Sequence, residues 1–377
     1  MSSAIYKDII IMSHDEKNKE SLPTISSWEA FNQTYSRAWN RLQEVEKWPP
    51  DSTRLWAEAL IHAHDLDVSS LSTLSWSENC GSLGFIPIYK ERLTKYGIPI
   101  RKIGPLFNAF CIRHNLLSTE STGPSVNKIL DVLCGELKSW DILLIDKVHQ
   151  SGEVFSAWVH GLQSHGLNYE VKLGERSPYL KIECGWDDYL SGKSRNFRYN
   201  LKRKRKKLES AGKLEIAEYT CESHIRTIMQ AIDQIEQGSW KKHAGTAIIS
   251  RPWERRFYEY LLSGMAKQGQ LHCTILFLDR QPIAYDVSLI RHGVGYCLKT
   301  SFHGDFSALS PGLVLREHVM KKVFDLGLNE YDFLGNDERY KLEWSSTVRQ
   351  HVSILIYNHN MRGRLLSVQS RVGKYIS

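Results

Sequence analysis

The sequence predicts an α/β protein in which mixed, mostly antiparallel sheets are flanked by helices and the chain forms two lobes. With 377 residues, the chain is longer than one typical hydrophobic core supports. Residues 271–302 contain three strand-length apolar runs separated by the tight turns DRQ and RHG, which predicts an antiparallel meander. Strand-like and helix-like segments alternate around this meander, and a weaker version of that order occurs upstream. We therefore predict lobes at residues 1–175 and 176–377.

The elements of the first lobe are predicted from apolar runs and amphipathic patterns. Residues 13–24 are polar and contain Pro23, which predicts a linker. The pattern of residues 55–64 fits either a helix or a strand. The elements predicted here are strands at 5–12, 81–90 and 141–148, and helices at 27–45 and 151–166.

The segment SRNFRYNLKRKRKKLESAG of the second lobe is strongly basic. Residues 193–213 hold ten Lys/Arg and one acid, which leaves 39 basic and 41 acidic residues, a net of −2, elsewhere. Phe197, Leu201 and Leu208 share one stripe of a helix. We therefore predict a folded helix over 194–212. Its basic side is either solvated or meets an anionic ligand or an acidic partner.

The rest of the second lobe surrounds the meander. Ser310 and Pro311 predict the start of a helix that ends at Gly327, because Ser favours the N-cap and Pro the first helical position. Tyr331–Leu334 is predicted to be a short buried strand. The other predicted elements are a strand at 179–183, amphipathic helices at 222–238 and 251–268, a turn or short helix at 337–344, and a strand at 349–359.

Composition excludes several classes of protein. No apolar run approaches the roughly 20 residues of a transmembrane helix, and the N-terminus lacks the pattern of a secretory signal. The seven cysteines are scattered and never spaced as CxxC, which argues against a disulfide framework or a zinc knuckle and favours a cytoplasmic protein. His62 and His64 would share one side of a strand without a third ligand, so we predict no metal site.

Five segments of the second lobe resemble the GNAT acyltransferase superfamily, and within it the CelD/BcsL-like group named for cellulose biosynthesis. They span about residues 189–344 and are, in order, YLSGKSRNFRYNLKRKRKKLESAG, GSWKKHAGTAI, FLDRQPIAYDVSLI, YCLKTSFHGDFSALSPGLVL and YDFLGNDERYKLEW. The resemblance implies two GNAT-like lobes, the first one degenerate, and an architecture related to Fem-type aminoacyl-tRNA-dependent transferases. SALSPGLVL stands where many GNAT enzymes carry a GxGxA pyrophosphate signature.

The resemblance also implies an acyl-CoA donor, or an acyl carrier protein in its place. Ser310, Pro311 and Gly312 open a helix directly after the last meander strand. A helix start offers unpaired N–H groups to a pyrophosphate; the alternative is that the three residues only cap the helix. In a GNAT-like sheet, the strand that contains Thr300 and ends near Phe302 would splay from the short strand after the helix. The freed backbone would hold the pantetheine arm and stabilise an oxyanion.

Direct attack by an amine or a hydroxyl requires a proton acceptor. Asp332 is the first candidate, because it is an acid inside an apolar strand at that gap, where desolvation would raise its pKa. Asp286, in AYDVSL, is the second. For either carboxylate the alternative is an ion pair with a lysine, or a turn cap. Lys341 would neutralise developing charge or a phosphate, or else hold Asp332 in place.

Aromatic and basic side chains are the candidates for binding the acceptor. Trp240 and Lys241 lie in SWKKH between two helices, where a tryptophan either plugs the core or forms a wall for a sugar ring. Trp344, in YKLEW, is a further aromatic candidate. Tyr296 is predicted to point away from Lys299, three residues along the same strand, so at most one of the two would face the cleft.

The predicted function is transfer of an acyl group from a thioester directly to an amine or hydroxyl of a saccharide or another polar small molecule, without a covalent enzyme intermediate or a metal. The basic helix would attract phosphates or an acidic acyl carrier protein. We do not expect nucleic-acid binding, because no recognition helix or aromatic platform accompanies the basic patch. Two alternatives remain: a Fem-type enzyme that uses aminoacyl-tRNA, and a non-catalytic scaffold of polysaccharide assembly.

Overall fold

The chain folds into two compact units. The first unit comprises the described residues of 23–61, 66–175 and 350–376, and the second comprises those of 62–64 and 176–349. The computed structural model describes residues 23–64, 66, 68, 71–77, 83–95, 97–106, 110–137, 139–239, 241, 245 and 247–376.

Strands and helices alternate through the described residues. The strands are β1 (Thr24–Ser27), β2 (Ser72–Ser77), β3 (Leu83–Lys95), β4 (Ile98–Pro105), β5 (Leu117–Ser118), β6 (Ile142–His149), β7 (Asn168–Lys181), β8 (Leu214–Tyr219), β9 (Leu271–Leu278), β10 (Gln281–Arg291), β11 (Val294–Phe302), β12 (Glu330–Asp332) and β13 (Val348–Tyr357). The helices are α1 (Trp28–Val45), α2 (Arg54–His64), α3 (Thr122–Gly135), α4 (Glu153–Ser164), α5 (Trp186–Ser191), α6 (Arg195–Glu209), α7 (Ile225–Gln237), α8 (Pro252–Lys267), α9 (Pro311–Asp325), α10 (Arg339–Leu342) and α11 (Met361–Ile376).

The first unit has one sheet with the strand order β1–β2–β3–β4–β6–β13 and with β5 beside β3. Only β4 and β6 are parallel among the strand pairs described for this unit. Its core includes Trp140, Trp158 and Ile354, and each large aliphatic side chain that is fully buried contributes roughly 1.5–3 kcal/mol. The described residues of 350–376, which the sequence assigns to the second lobe, group with the first unit because β13 pairs with β6 from His351 onward.

In the second unit the strand order is β7–β12–β11–β10–β9–β8. The strands β8 to β11 are antiparallel neighbours, β11 and β12 are parallel, and β12 and β7 are antiparallel. Leu201 and Leu208 of α6 and Leu315 and Met320 of α9 belong to the core of this unit. The predicted α/β class, with mostly antiparallel sheets flanked by helices, is therefore confirmed.

The basic helix has the predicted form. Ser194 caps α6 by accepting a hydrogen bond from the N–H of Phe197 at 3.2 Å, and Leu201 and Leu208 are buried. The helix ends at Glu209, before Gly212. Basic side chains on its other faces are exposed.

Other predictions fail or fall outside the described chain. His62 and His64 lie in α2 rather than on a strand, so their rings do not share one side of a sheet. The predicted strand at 5–12 and the linker up to residue 22 lie outside the described residues. None of the described helices is both long and apolar enough to cross a lipid bilayer. No group of three or more His, Cys, Asp or Glu side chains in the described part is arranged to hold a metal ion.

Candidate active site

The parallel strands β11 and β12 pair over three residues only, ending at Tyr296 opposite Asp332. Leu334 and Gly335 then follow with φ of +51° and +60°, so the backbone turns out of the sheet. β11 continues to Phe302, and within the described residues β10 is its only partner over that stretch. The two strands therefore part beyond Asp332, which leaves one edge of β11 without a partner strand.

A β-bulge in β11 changes which side chains share a face. Val287 lies opposite Lys299, but the next residue of β10 lies opposite Cys297, so Leu298 is an extra residue. Tyr296 lies opposite the residue two positions after Val287. Because directly opposite residues share a face, Tyr296 and Lys299 lie on the same face of the sheet. The prediction that they point to opposite sides is wrong, since the bulge interrupts the alternation.

The start of α9 lies at the end of this strand, after a 3₁₀ segment at 304–309. Pro311 is the first helical residue, as predicted. Ser310 holds the N-cap position in the left-handed conformation (φ +56°, ψ +49°), and its side chain caps no N–H group. A Cβ atom on Gly312 would lie 3.2 Å from Cδ1 of Phe302, so glycine permits this close approach. The first turn thus has no side-chain cap, which favours binding of an anion there.

A surface cavity of about 380 Å³ lies beside this helix start. The first turns of α6, α9 and α10 border it, and its lining includes Phe197, Leu313 and Arg339. The side chain of Arg339 is 95% exposed. Lys193 also lines the cavity and donates a hydrogen bond to the backbone oxygen of Glu343 at 3.0 Å, and burial lowers the pKa of Lys193. The volume of this cavity is within the range of small-molecule binding sites.

Asp332 is fully buried at the point where the strands part. Its Oδ1 accepts a hydrogen bond from the N–H of Leu334 at 2.9 Å, and its Oδ2 lies 3.3 Å from Nη1 of Arg349. Arg349 also binds Glu330 at 2.6 Å and lies 3.4 Å from the ring centroid of Tyr179. The ion-pair alternative is thus present, with an arginine in place of a lysine.

Asp286 points from β10 toward α9. Its Oδ2 lies 2.9 Å from Nη2 of Arg316, and its Oδ1 accepts a hydrogen bond from Oγ of Ser288 at 2.6 Å. Arg316 also donates to the hydroxyl of Tyr331 at 2.7 Å and to Sγ of Cys297 at 3.3 Å. Tyr331 belongs to β12 and Cys297 to β11. Asp286 and Arg316 therefore form a buried ion pair that fixes α9 to both strands of the crevice. Sequence reasoning missed Arg316, a basic residue inside the apolar stripe of α9.

A second buried cluster of charges lies on the other face of the sheet, toward α7 and α8. Nζ of Lys299 lies 2.5 Å from Oε1 of Glu254. The hydroxyl of Tyr285 donates to Oε1 of Glu236 at 2.6 Å, and Nζ of Lys241 lies 3.9 Å from the same oxygen. Both glutamates were missed by sequence reasoning, because their helices read only as amphipathic.

Lys241 links this cluster to the free edge of β11. Its Nζ donates a hydrogen bond to the backbone oxygen of Thr300 at 2.7 Å, beyond the last pair with β12. Burial, with the charge of Lys299 nearby, lowers the pKa of Lys241 to about 8. Trp240, for which the sequence leaves open a core plug or a wall for a sugar ring, lies outside the described residues.

Two further candidates have structural contacts. Lys341 is buried and donates to the backbone oxygen of Leu334 at 2.6 Å. It therefore fixes the turn that follows Asp332, which is close to the second role that the sequence left open. Trp344 is fully buried, and its ring packs edge-on against Phe197 at 5.1 Å between centroids. This tryptophan has no exposed surface to offer an acceptor.

The first unit contains a corresponding pair of parallel strands, but a chain segment fills the space between them. β4 and β6 pair over two residues only. Beyond them, the N–H of His114 donates to the backbone oxygen of Lys147 in β6 at 3.0 Å. Asp51 holds the same segment by accepting from the N–H groups of Ile112 and Arg113, each at 2.8 Å. The cavity that remains is about 10 Å³, room for one water. In the described residues, no backbone segment pairs with β11 in this way.

Part of the second unit matches a known domain family. Residues 195–342 match the family model described as "Acetyltransferase (GNAT) domain". This segment covers α6 to α10 and includes both strands of the crevice. The second unit therefore carries the domain of a GNAT-type transferase.

Solved structures of low sequence identity share the fold over most of the chain. The C-terminal domain of a candidate lysylphosphatidylglycerol synthetase from Agrobacterium fabrum matches with a TM-score of 0.54 at 10% identity, over 89% of this chain and 95% of that one. FemX matches with a TM-score of 0.55 at 11% identity, over 83% and 93%. A conserved protein of unknown function from Bacteroides thetaiotaomicron matches with a TM-score of 0.50 at 10% identity, over 81% and 90%. No curated protein matches the chain. These likenesses concern the fold alone.

Proposed function

We propose that the protein transfers an acyl group from a CoA thioester, or from an acyl carrier protein, to an amine or hydroxyl of a saccharide or another polar small molecule. The parting of β11 and β12 beside the uncapped start of α9 carries the proposal. An extended pantetheine arm can pair with the free edge of β11 as an added strand would. The start of α9 offers its amides and its positive dipole end to the pyrophosphate.

Donor binding is accordingly assigned to the end of β11 and the first turn of α9. The residues concerned are Thr300, Phe302, Ser310, Pro311 and Gly312. The five sequence segments named above also support membership in the CelD/BcsL-like group, which is the basis for proposing a saccharide acceptor.

In the proposed reaction the acceptor nitrogen or oxygen attacks the thioester carbonyl directly. The oxyanion that forms is stabilised by backbone N–H groups of β11 near the bulge at Leu298, where a bulge leaves ladder groups unpaired. The C–S bond then breaks, and the thiolate leaves and takes up a proton. No side chain becomes acylated in this scheme.

Asp332 remains our candidate for the proton acceptor. Arg349 lies closer to Glu330 (2.6 Å) than to Asp332 (3.3 Å), so the arginine does not engage Asp332 alone. Lys241 and Tyr296 are assigned to the acceptor side. Near pH 8 about half of the Lys241 side chains would be neutral, given their pKa of about 8.

The exposed basic side of α6 supports an anionic donor. Arg205 pairs with Glu317, and Lys207 donates to the backbone oxygen of Ala308 at 3.1 Å. Among the described residues no carboxylate pairs with the exposed Lys202 or Arg203. This unneutralised surface fits the phosphates of CoA or an acidic acyl carrier protein.

The test measures thiol release from acetyl-CoA and longer acyl-CoAs in the presence of amino sugars and polyols. Thiol release that depends on an acceptor supports the proposal. Salt-sensitive binding of aminoacyl-tRNA together with no reaction of any acyl-CoA would favour the Fem-type alternative. Binding of neither donor would favour a scaffold.

A further inference from the structure

The C-terminal helix α11 presents an apolar stripe to solvent. Met361, Leu365 and Val368 are 88%, 46% and 58% exposed. Their spacing of four and three residues places them on one side of the helix. Leu366, on another side, is buried against Ile100 in the core of the first unit.

The start of α11 is fixed by contacts that set the direction of this stripe. The N–H of Gly363 donates to Oδ1 of Asn360 at 2.8 Å. The Asn360 side chain in turn donates to the backbone oxygen of Trp140 at 2.7 Å and to Oδ1 of Asp141 at 3.0 Å. A Cβ atom on Gly363 would lie 2.3 Å from the backbone oxygen of Asn358. The helix is therefore held by its inner side, and the stripe belongs to its outer side.

All the charged side chains in the sequence of this helix are positive. Residues 361–377 contain four Lys/Arg and no Asp or Glu. Arg362 and Arg364 are exposed next to the stripe, and neither forms an ion pair with a described residue. In the sequence, Val372 and Ile376 follow Val368 at intervals of four and so continue the apolar spacing.

We propose that α11 lies on the surface of an anionic lipid bilayer. An exposed apolar stripe flanked by arginines is the pattern of an interfacial helix, whose apolar side enters the headgroup region while its cations meet anionic lipids. α11 has 16 residues, which is too few to span a bilayer. A symmetric contact between two copies of this stripe would bring arginines together with no acid between them, so the charge favours a lipid surface over self-association.

The experiment co-sediments the full chain with vesicles of phosphatidylcholine alone, or with about one third phosphatidylglycerol. We expect binding to the anionic vesicles that weakens with added salt. Replacing the apolar stripe with Leu365→Glu and Val368→Glu should lower the affinity by roughly tenfold or more. Arg364→Gln should lower it by about fivefold. Leu93→Glu is the control for a single added glutamate, because it places one on a leucine that is 38% exposed on β3, and it should leave binding unchanged.

Several results would overturn the inference. They are absence of binding to anionic vesicles, equal binding by the double variant, and equal binding to neutral vesicles. If the wild type forms a dimer and binds no vesicles, and the double variant is monomeric, the stripe would be assigned to self-association instead. Circular dichroism checks that the variants are folded, and Arg364→Gln, at an exposed position, tests the charge without touching the apolar stripe. Vesicle binding is measured without turnover, so a negative result leaves the proposed acyl transfer unaffected.

Discussion

Replacing Asp332 with asparagine separates chemistry from folding at the crevice. Oδ1 already accepts the Leu334 N–H at 2.9 Å, and asparagine keeps that acceptor. The charge opposite Arg349 is lost, but this arginine keeps its shorter contact with Glu330 at 2.6 Å. Since one hydrogen bond survives and the arginine stays paired, we expect the free energy of unfolding to fall by about 1–3 kcal/mol. A general base contributes about 10²–10⁴-fold to the rate, so kcat should fall by that factor.

The assay is thiol release at saturating acyl-CoA, combined with denaturant unfolding of each variant. Glu330→Gln is the control, because it removes the other carboxylate of the same arginine from the same strand. It should change kcat by no more than about threefold, since Glu330 has no proposed part in proton transfer. If Asp332→Asn keeps its kcat, or if Glu330→Gln loses as much, Asp332 is a positioning residue and the proposed base is wrong.

Three further predictions concern buried ionisable groups. Removing Asp286 or Arg316 alone leaves its partner buried and unpaired, so Asp286→Leu and Arg316→Met should each lower the free energy of unfolding by about 3–5 kcal/mol. The double variant should lose much less than the sum, and additive losses in a double-mutant cycle measured by denaturant unfolding would contradict the ion pair. Because folding lowers the pKa of Lys241 to about 8, the unfolded protein binds more protons than the folded protein above that pH, and the free energy of unfolding should rise from about pH 8 to 10. Lys241→Met should remove this rise, and an unchanged pH profile in the variant would refute the pKa shift. Burial, with Arg113 and His149 nearby, lowers the pKa of His351 to about 3. Below about pH 6.5 the unfolded state therefore binds one more proton than the folded state, and the free energy of unfolding should fall by up to ~1.4 kcal/mol per pH unit down to about pH 3. His351→Phe should reduce this fall, and an equal slope in the variant would contradict the prediction.

Elements with a local signal were predictable from the sequence. The meander strands are separated by the turns DRQ and RHG, and residues with positive φ at Asp279, Arg280 and His292 fall in those turns. Pro311 begins α9 because its fixed φ suits the first helical position. Gly327, with φ of +64°, follows the end of the same helix, where a left-handed residue is favourable. Each of these signals needs only neighbouring residues.

Features that depend on distant contacts were not predictable. The pairs Arg316–Asp286 and Arg349–Asp332 form only once strands and helices are in register, so an acid in an apolar strand could be noticed but its partner could not. The bulge at Leu298 has no glycine or proline to mark it, and because of this bulge Lys299 and Tyr296 lie on the same face of the sheet instead of on opposite faces. No helix was predicted over α11, whose sequence contains two glycines that lower the expected helicity.

Donor binding to the second unit is the central claim, and isothermal titration of acetyl-CoA into the intact protein tests it most directly. We predict one site with an affinity in the micromolar range, as for typical co-substrates. Gly312→Val should weaken it at least about tenfold, because the added Cβ would crowd Phe302 at 3.2 Å at the start of α9. Gly123→Val, at the same position of α3 in the first unit, where an added Cβ would have no atom within 4 Å, should bind as the wild type does. No heat of binding with acetyl-CoA or any longer acyl-CoA, or equal binding by Gly312→Val, would contradict the proposed donor site.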